Sequence, residues 1–299
     1  MRLEQLQYFV EIAKTGSYSQ AANNLYISQP SISHGIKKLE DTLKVRLFER
    51  SRNGAVLTEI GKSILPKAQS VLITIEEIID EAKREEEILT GKLSIATIPS
   101  LGRYITDTLL EFKEKHPRVD IEISENGTDQ IVQDILDNRV EVGLTSYISE
   151  NHINNMYFER LFSGKILVCV GKNAPFPINN PLSIELISKQ PIVMFKSSYL
   201  SHFYFKKILK GHELNILFSS WNNEFAKNII SSGIAIGFYP DFYIKNDDSV
   251  KKGDIIPLEI EDNREEIMFG WMRSKNQYFS KPAKEFVKMF SSTIKKYDL

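Results

Sequence analysis

The densest run of side chains able to read another molecule is Ser28-Gln29-Pro30-Ser31-Ile32-Ser33-His34-Gly35-Ile36-Lys37-Lys38. Helical spacing places Ile32, Ile36, Leu39 and Leu43 on one stripe and leaves Gln29, Ser31, Ser33, His34, Lys37 and Lys38 on the other. Ser28 suits the N-cap of this helix, and Pro30 falls in its first turn, where a missing N–H costs nothing. The exposed set fits DNA. A glutamine amide can pair bidentately with adenine, Pro30 can pack on a thymine methyl, and lysines supply cations for phosphates. Further on, Arg50 and Arg52 lie near the tip of an expected hairpin at Asn53-Gly54, in reach of phosphates or a minor groove.

A second set is spread over the rest of the chain. Ser100, with Leu101 beside it, follows Pro99 at an expected helix start, Thr128 follows Gly127 at another, and Ser146 ends an expected strand. Lys196-Ser197-Ser198 follow a strand expected at 191–195, and Phe238-Tyr239 follow one at 234–237. Hydroxyls and free N–H groups at helix starts suit a carboxylate or another anion, and Lys196 is the one obvious cation in this set. Tyr199 and Trp221 could serve as walls, although core packing is the simpler role for the tryptophan.

Enzyme chemistry finds no comparable constellation. The five histidines, His34, His116, His152, His202 and His212, show no HExxH spacing, and the chain has neither GxxxxGK[ST] nor GxSxG. Gly233-Ile234-Ala235-Ile236-Gly237 lies in an expected strand and makes no phosphate loop. Cys169, the only cysteine, sits in an apolar run, which excludes an internal disulfide or a CxxC site. No catalytic residue, metal or cofactor is therefore expected. With 42% hydrophobic residues among 299, the chain has ample material for packed cores. No apolar run approaches the roughly 18 residues of a membrane span, and charges interrupt the first residues where a signal peptide would be apolar. A soluble cytoplasmic protein is the expectation.

The formal net charge of −1 argues at first against a nucleic-acid binder. Counted in windows, residues 1–67 hold ten Lys/Arg against six Asp/Glu, residues 68–90 two against seven, and the remainder 26 against 26. A basic head, an acidic connector and a neutral body are separate pieces.

The elements that must carry these residues follow from the pattern. Leu3, Leu6, Phe9, Val10 and Ala13 predict a first helix ended by Gly16. Ser17 or Ser19 caps a short second helix bearing Ala21, Ala22 and Leu25, Tyr26–Ile27 turn the chain, and the helix opened by Ser28 follows. Two short helices, the second presenting polar and basic side chains, form a helix-turn-helix, and the hairpin after it is a wing. A long helix is expected over 58–89, with an apolar face running from Ile64 through Ala82. The small head has too little surface to cover that face, so a second copy's helix is expected there. Thr90-Gly91 ends it. Strands expected at 93–98, 119–124 and 141–145 alternate with helices at 101–116 and 129–138, implying a largely parallel sheet. A second unit has strands at 165–171, 191–195, 214–219 and 234–238 with helices at 201–210 and 224–232, and the tail adds a strand at 267–272 and a helix at 282–296. A cleft between two such α/β units is a natural ligand site.

Residues 1–65 resemble the LysR-type transcriptional regulators. The resemblance lies in the order and spacing of Leu6-Gln7-Tyr8-Phe9, Ser17 to Ala22, Ile27 to His34, Ile36 to Glu40, Leu47-Phe48-Glu49-Arg50 and Leu57 to Gly61. Pro99-Ser100, Gly143-Leu144 and Gly233 to Pro240 are similar to that family's effector domain. The resemblance implies an all-α winged helix-turn-helix at 1–58, a linker and dimerisation helix at 59–90, and an α/β two-lobed, periplasmic-binding-protein-like effector domain at 91–299. Lobe I would comprise 91–162 and 267–299, and lobe II 163–266. It places Gln29, Pro30, Ser31, Ser33, His34, Lys37, Arg50 and Arg52 on double-stranded DNA. Ser100, Leu101, Thr128, Ser146, Lys196, Ser197, Ser198 and Phe238 would lie around a small-molecule effector. A homodimer through the linker helix, assembled into a homotetramer, would bind an inverted-repeat operator. The sequence departs from the family where His34 replaces the usual arginine and Gly35 a longer polar residue. Glycine there implies either a close approach of backbone to DNA or a tolerated defect. The competing reading is a periplasmic-type small-molecule-binding protein without DNA function.

Overall fold

A computed structural model describes residues 1–51, 54–82, 89–147, 155–195, 212–220 and 222–297. The chain divides into Met1–Ile88 with Ser274–Lys281, and Leu89–Arg273 with Pro282–Leu299. The N-terminal unit contains α1 (Leu3–Thr15), α2 (Tyr18–Asn24), α3 (Gln29–Leu43), β1 (Phe48–Ser51), β2 (Gly54–Leu57) and α4 (Glu59–Ala82). Each early boundary has a local cause. Gly16 takes a left-handed φ of 66° and donates its N–H to Ile12 O (2.8 Å), Ser17 caps α2, and the Ser28 hydroxyl accepts from Ser31 N (3.3 Å) to open α3. Phe9, Ile12, Ile32, Ile36, Leu39 and Leu47 are fully buried between the three helices and the hairpin, each worth about 1.5–3 kcal/mol of burial.

Two expectations change in this unit. The hairpin turn is shifted by one residue: Gly54 is the first residue of β2, opposite Ser51, at φ 117°. A Cβ there would stand 2.3 Å from Gly16 O, and Ala55 N donates to that same carbonyl (2.8 Å), so Gly54 serves a backbone-to-backbone contact between α1 and the wing. The head also covers more of α4 than its size suggests. Ala68 is buried in the head core, with Ile64, Leu65 and Leu72 packed against it, while Val71, Ile78 and Ile79 remain exposed.

The C-terminal unit opens with β3 (Gly91–Thr97), a 3-10 turn (Pro99–Leu101), α5 (Gly102–Lys115), β4 (Val119–Glu125), α6 (Thr128–Leu136) and β5 (Val142–Ser146). Then come β6 (Met156–Gly164), β7 (Ile166–Gly171), α7 (Ile184–Ser188), β8 (Ile192–Phe195), β9 (Ile216–Ser220) and α8 (Asn223–Ser231). The chain continues through β10 (Gly237–Pro240), α9 (Asp241–Ile244), α10 (Asp248–Lys251), β11 (Ile255–Leu258), β12 (Ile267–Ser274) and α11 (Lys281–Ile294). The first sheet has the order β4-β3-β5-β12-β6, and the second lobe carries β10-β7-β11 beside the pair β8-β9.

A largely parallel sheet is only part of the outcome. β3 runs parallel to β4 and β5, and β8 to β9, but β12 is antiparallel to β5, and β10 and β11 are both antiparallel to β7. Parallel neighbours need a crossover. Helices α5 and α6 provide it in the first lobe, whereas β6 passes into β7 through Lys165 alone. Strands β6 and β11 are not among those expected from the sequence. The strand expected from Ile234 starts at Gly237, and Ile234 itself is 57% exposed.

Candidate DNA-binding face and effector site

Helix α3 presents Gln29, Pro30, Ser31, Ser33, His34, Lys37 and Lys38 to solvent, while Ile32, Gly35, Ile36 and Leu39 face the core. Ser19 Oγ donates to Gln29 Oε1 (3.1 Å), so α2 holds the amide by its acceptor end. The Ser31 hydroxyl pairs with that of Ser28 (2.8 Å) and is thereby tied to the helix start. Gly35 lies on the opposite side, where a Cβ would stand 2.6 Å from the Tyr8 ring. Its backbone approaches α1 rather than DNA, which overturns the first of the two reasons offered for a glycine at this position.

Residue 50 pairs with Ala55, one step from the end of the hairpin, and Arg52 lies outside the described residues. The wing is tied to α3 by Glu40, the last residue of the Ile36 to Glu40 motif. The buried Glu40 carboxylate accepts from Leu47 N (2.7 Å) and Phe48 N (3.3 Å) and pairs with Arg46 (3.5 Å). Its signal was visible, since an acid four residues after Ile36 falls on the apolar stripe and needs partners there.

In the C-terminal unit the chain passes from β3 to β4 on one side and then to β5 on the other, which makes the carboxyl ends of β3 and β5 a topological switch point. Thr128 at the start of α6, Thr145 and Ser146 meet at those ends as a buried hydroxyl chain. Thr145 Oγ1 donates to Thr128 Oγ1 (2.9 Å), and Thr128 Oγ1 pairs with Ser146 Oγ (3.1 Å). Ser100 is half-buried in the 3-10 turn that follows β3. Leu101 differs from its expected role: it is 1% exposed and its N–H is donated to Ile98 O (3.0 Å), so it supports the turn from within the core. Phe238 is half-buried on β10 opposite Val168, on the other face of its strand from the buried Tyr239. Lys196, Ser197 and Ser198 lie outside the described residues, as do Tyr199 and Trp221.

The two lobes meet at a residue that periodicity did not single out. Phe242 of α9 packs against Phe162 (ring centroids 5.0 Å) and Phe269 (4.8 Å) of the first sheet, and Tyr104 Oη of α5 donates to its carbonyl (3.1 Å). Deeper in the second lobe, Lys227 is buried against Glu224 (2.5 Å) and Asp247 (2.7 Å). Burial alone would push its ammonium pKa down, but the hydrogen bonds to the two carboxylates raise it on balance. Cys169 is fully buried, and burial pushes its thiol far up, away from reactive thiolate. Among the described residues no group of three or more His, Cys, Asp or Glu could hold a metal ion, and no helix is long and apolar enough to cross a membrane.

A capped recognition helix with a wing, joined to an α/β unit whose switch point carries clustered hydroxyls, defines a ligand-responsive DNA-binding regulator. The family model for bacterial regulatory helix-turn-helix proteins of the lysR family matches residues 3–62, and that for the LysR substrate binding domain matches 87–294, so the chain belongs to the LysR family of transcriptional regulators. Among relatives, an HTH-type transcriptional regulator of Bacillus subtilis, YvbU, is 28% identical over 79% of this chain and 80% of its own length. A hydrogen peroxide-inducible genes activator of Haemophilus influenzae is 23% identical over 86% of each chain. A full-length OxyR variant from Pseudomonas aeruginosa shares the fold at 20% identity and a TM-score of 0.71, covering 100% of this chain and 96% of that one.

Proposed function

We propose that the chain regulates transcription by reading DNA with the exposed face of α3, chiefly through Gln29, Pro30, Ser33, His34 and Lys37, with Arg50 and Arg52 on the wing. The observation that carries this reading is the sorting of α3: every side chain of that set on the helix is exposed, while its other face is sealed into the core. Solved structures of similar fold include full-length CbnR complexed with its target DNA, at 21% identity and a TM-score of 0.52. The exposed Val71, Ile78 and Ile79 of α4 support a dimer through the linker helix, and the family resemblance extends this to a dimer of dimers on an inverted repeat in the cytoplasm. A small metabolite binds at the switch point against Ser100, Thr128 and Ser146, with Lys196, Ser197, Ser198 and Phe238 from the second lobe. It shifts the closure of the two lobes and so the geometry of the heads. A binding protein without DNA function leaves the helix-turn-helix match unexplained.

The test is an electrophoretic mobility shift with the full chain on duplexes selected from a random pool. Gln29→Ala is expected to lower the preference for selected over random duplex by about tenfold, and Lys37→Ala to weaken both alike. Equal affinity of the parent protein for selected and random duplex overturns the reading.

A further inference from the structure

The turn between α2 and α3 holds a conflict between fold and sequence. Tyr26 has a φ of 55°, in the left-handed region that glycine and asparagine occupy with little strain and bulky side chains avoid. The turn is held by backbone bonds on either side of it: the Tyr26 N–H donates to Asn23 O (3.2 Å), and the Ile27 N–H to Ala22 O (3.0 Å). The side chain is 96% exposed, the most exposed large hydrophobic residue among the described residues. Burial therefore contributes almost nothing to keep tyrosine here, and the backbone would be easier with asparagine. Residues that oppose the fold both locally and in solvation mark functional positions.

The surroundings indicate which function. Tyr26 precedes the N-cap Ser28 by two residues, at the end of α3 that leads the helix into the groove in a helix-turn-helix complex. Gln29, Pro30 and Ser33, all exposed, follow at once on the same helix. A phenol joins a flat apolar ring to one hydroxyl donor, chemistry that suits the sugar-phosphate edge of a groove. We propose that Tyr26 is a DNA-contacting residue whose Oη donates a hydrogen bond to a backbone phosphate beside the recognition helix. This rests on the reading that the exposed face of α3 meets DNA.

A neutral phosphate contact has a distinct signature. It adds affinity without sequence information, and because it carries no charge it releases no counterion of its own. The experiment measures the full chain by mobility shift on selected and random duplexes from 50 to 200 mM salt, alongside thermal melting. Tyr26→Phe is expected to lose about tenfold in affinity on both duplexes, with the salt slope unchanged, since a hydrogen bond to a charged group is at stake. Tyr26→Asn should bind as weakly yet melt a few degrees higher, because the backbone strain is relieved. Parental affinity in Tyr26→Phe, with Gln29→Ala still losing its preference, overturns the contact while leaving the α3 reading intact. A Gln29→Ala variant that keeps full preference removes the α3 reading and this one with it. An altered sedimentation coefficient of DNA-free Tyr26→Phe, with unchanged DNA affinity, places the ring at a protein interface and also overturns the contact.

Discussion

Gly54 shows how much of the DNA-binding unit rests on single backbone positions. Any side chain there must both adopt φ 117° and push against Gly16 O, which a Cβ would approach to 2.3 Å. Neither the carbonyl nor the wing can yield without breaking the Ala55 N to Gly16 O bond (2.8 Å). Gly54→Ala is therefore expected to destabilise the fold by at least about 2 kcal/mol, read as a lower urea midpoint, and to weaken DNA binding in the surviving folded fraction. Asn53-Gly54 was legible as a hairpin, but the reason for the glycine was not, because the atom it accommodates belongs to Gly16, far back along the chain. Gly35 makes the same point: sequence alone left two explanations, and the structure supplies a third, the ring of Tyr8 that a Cβ would approach to 2.6 Å. The exposed face of α3, by contrast, could be read from helical periodicity alone, since it depends only on spacing within one helix.

Among the elements, the wing matters most because its position relative to α3 is set by one carboxylate. Glu40 accepts from two consecutive backbone N–H groups at the start of the hairpin, and Thr58 Oγ1 donates to Arg46 O (2.7 Å) at its other end. Removing the acceptor leaves the N–H groups of the buried Leu47 and Phe48 without it, at a cost of about 1–3 kcal/mol. Glu40→Ala should lower stability by that amount, and Glu40→Gln, which keeps an acceptor, by less. A positioning role adds a second readout. If Glu40 holds the wing against DNA, Arg52→Ala should cost much less affinity in the Glu40→Ala background than in the parent, and full additivity in this double-mutant cycle would exclude it. Helix α4 was predicted from its stripe, yet the stripe could not say how it divides. Ile64, Leu65, Ala68 and Leu72 pack on the head core, while Val71, Ile78 and Ile79 stay exposed. In the effector unit, alternating patterns located β3, β4 and β5, but β6 and β11 escaped, and antiparallel pairing was hidden because periodicity carries no strand direction. The hydroxyls of Thr128 and Ser146 were legible as helix and strand ends. Their direct contact depends on how α6 and β5 are packed.

For the whole molecule, net charge is a sum over parts with different tasks. The −1 total hides a head with ten basic and six acidic residues and a connector with two against seven. Because the basic excess is confined to the head, the salt dependence of binding should report only the cations that meet DNA. In the proposed reading, Lys37 and Lys38 on α3 with Arg50 and Arg52 on the wing would supply four phosphate contacts per head. At a slope of about −0.9 per phosphate contact, a dimer using these four is expected at roughly −7 in log K against log salt, and a tetramer engaging four heads at roughly twice that. Lys37→Ala removes one contact from each head and should make the dimer slope shallower by about 2. Titrating affinity from 50 to 200 mM salt therefore counts heads on the duplex as well as contacts per head. A slope steeper than about −7 on a duplex holding only two half-sites would mean that further cations meet DNA, first among the six other basic residues of the head, Arg2, Lys14, Lys44, Arg46, Lys62 and Lys67.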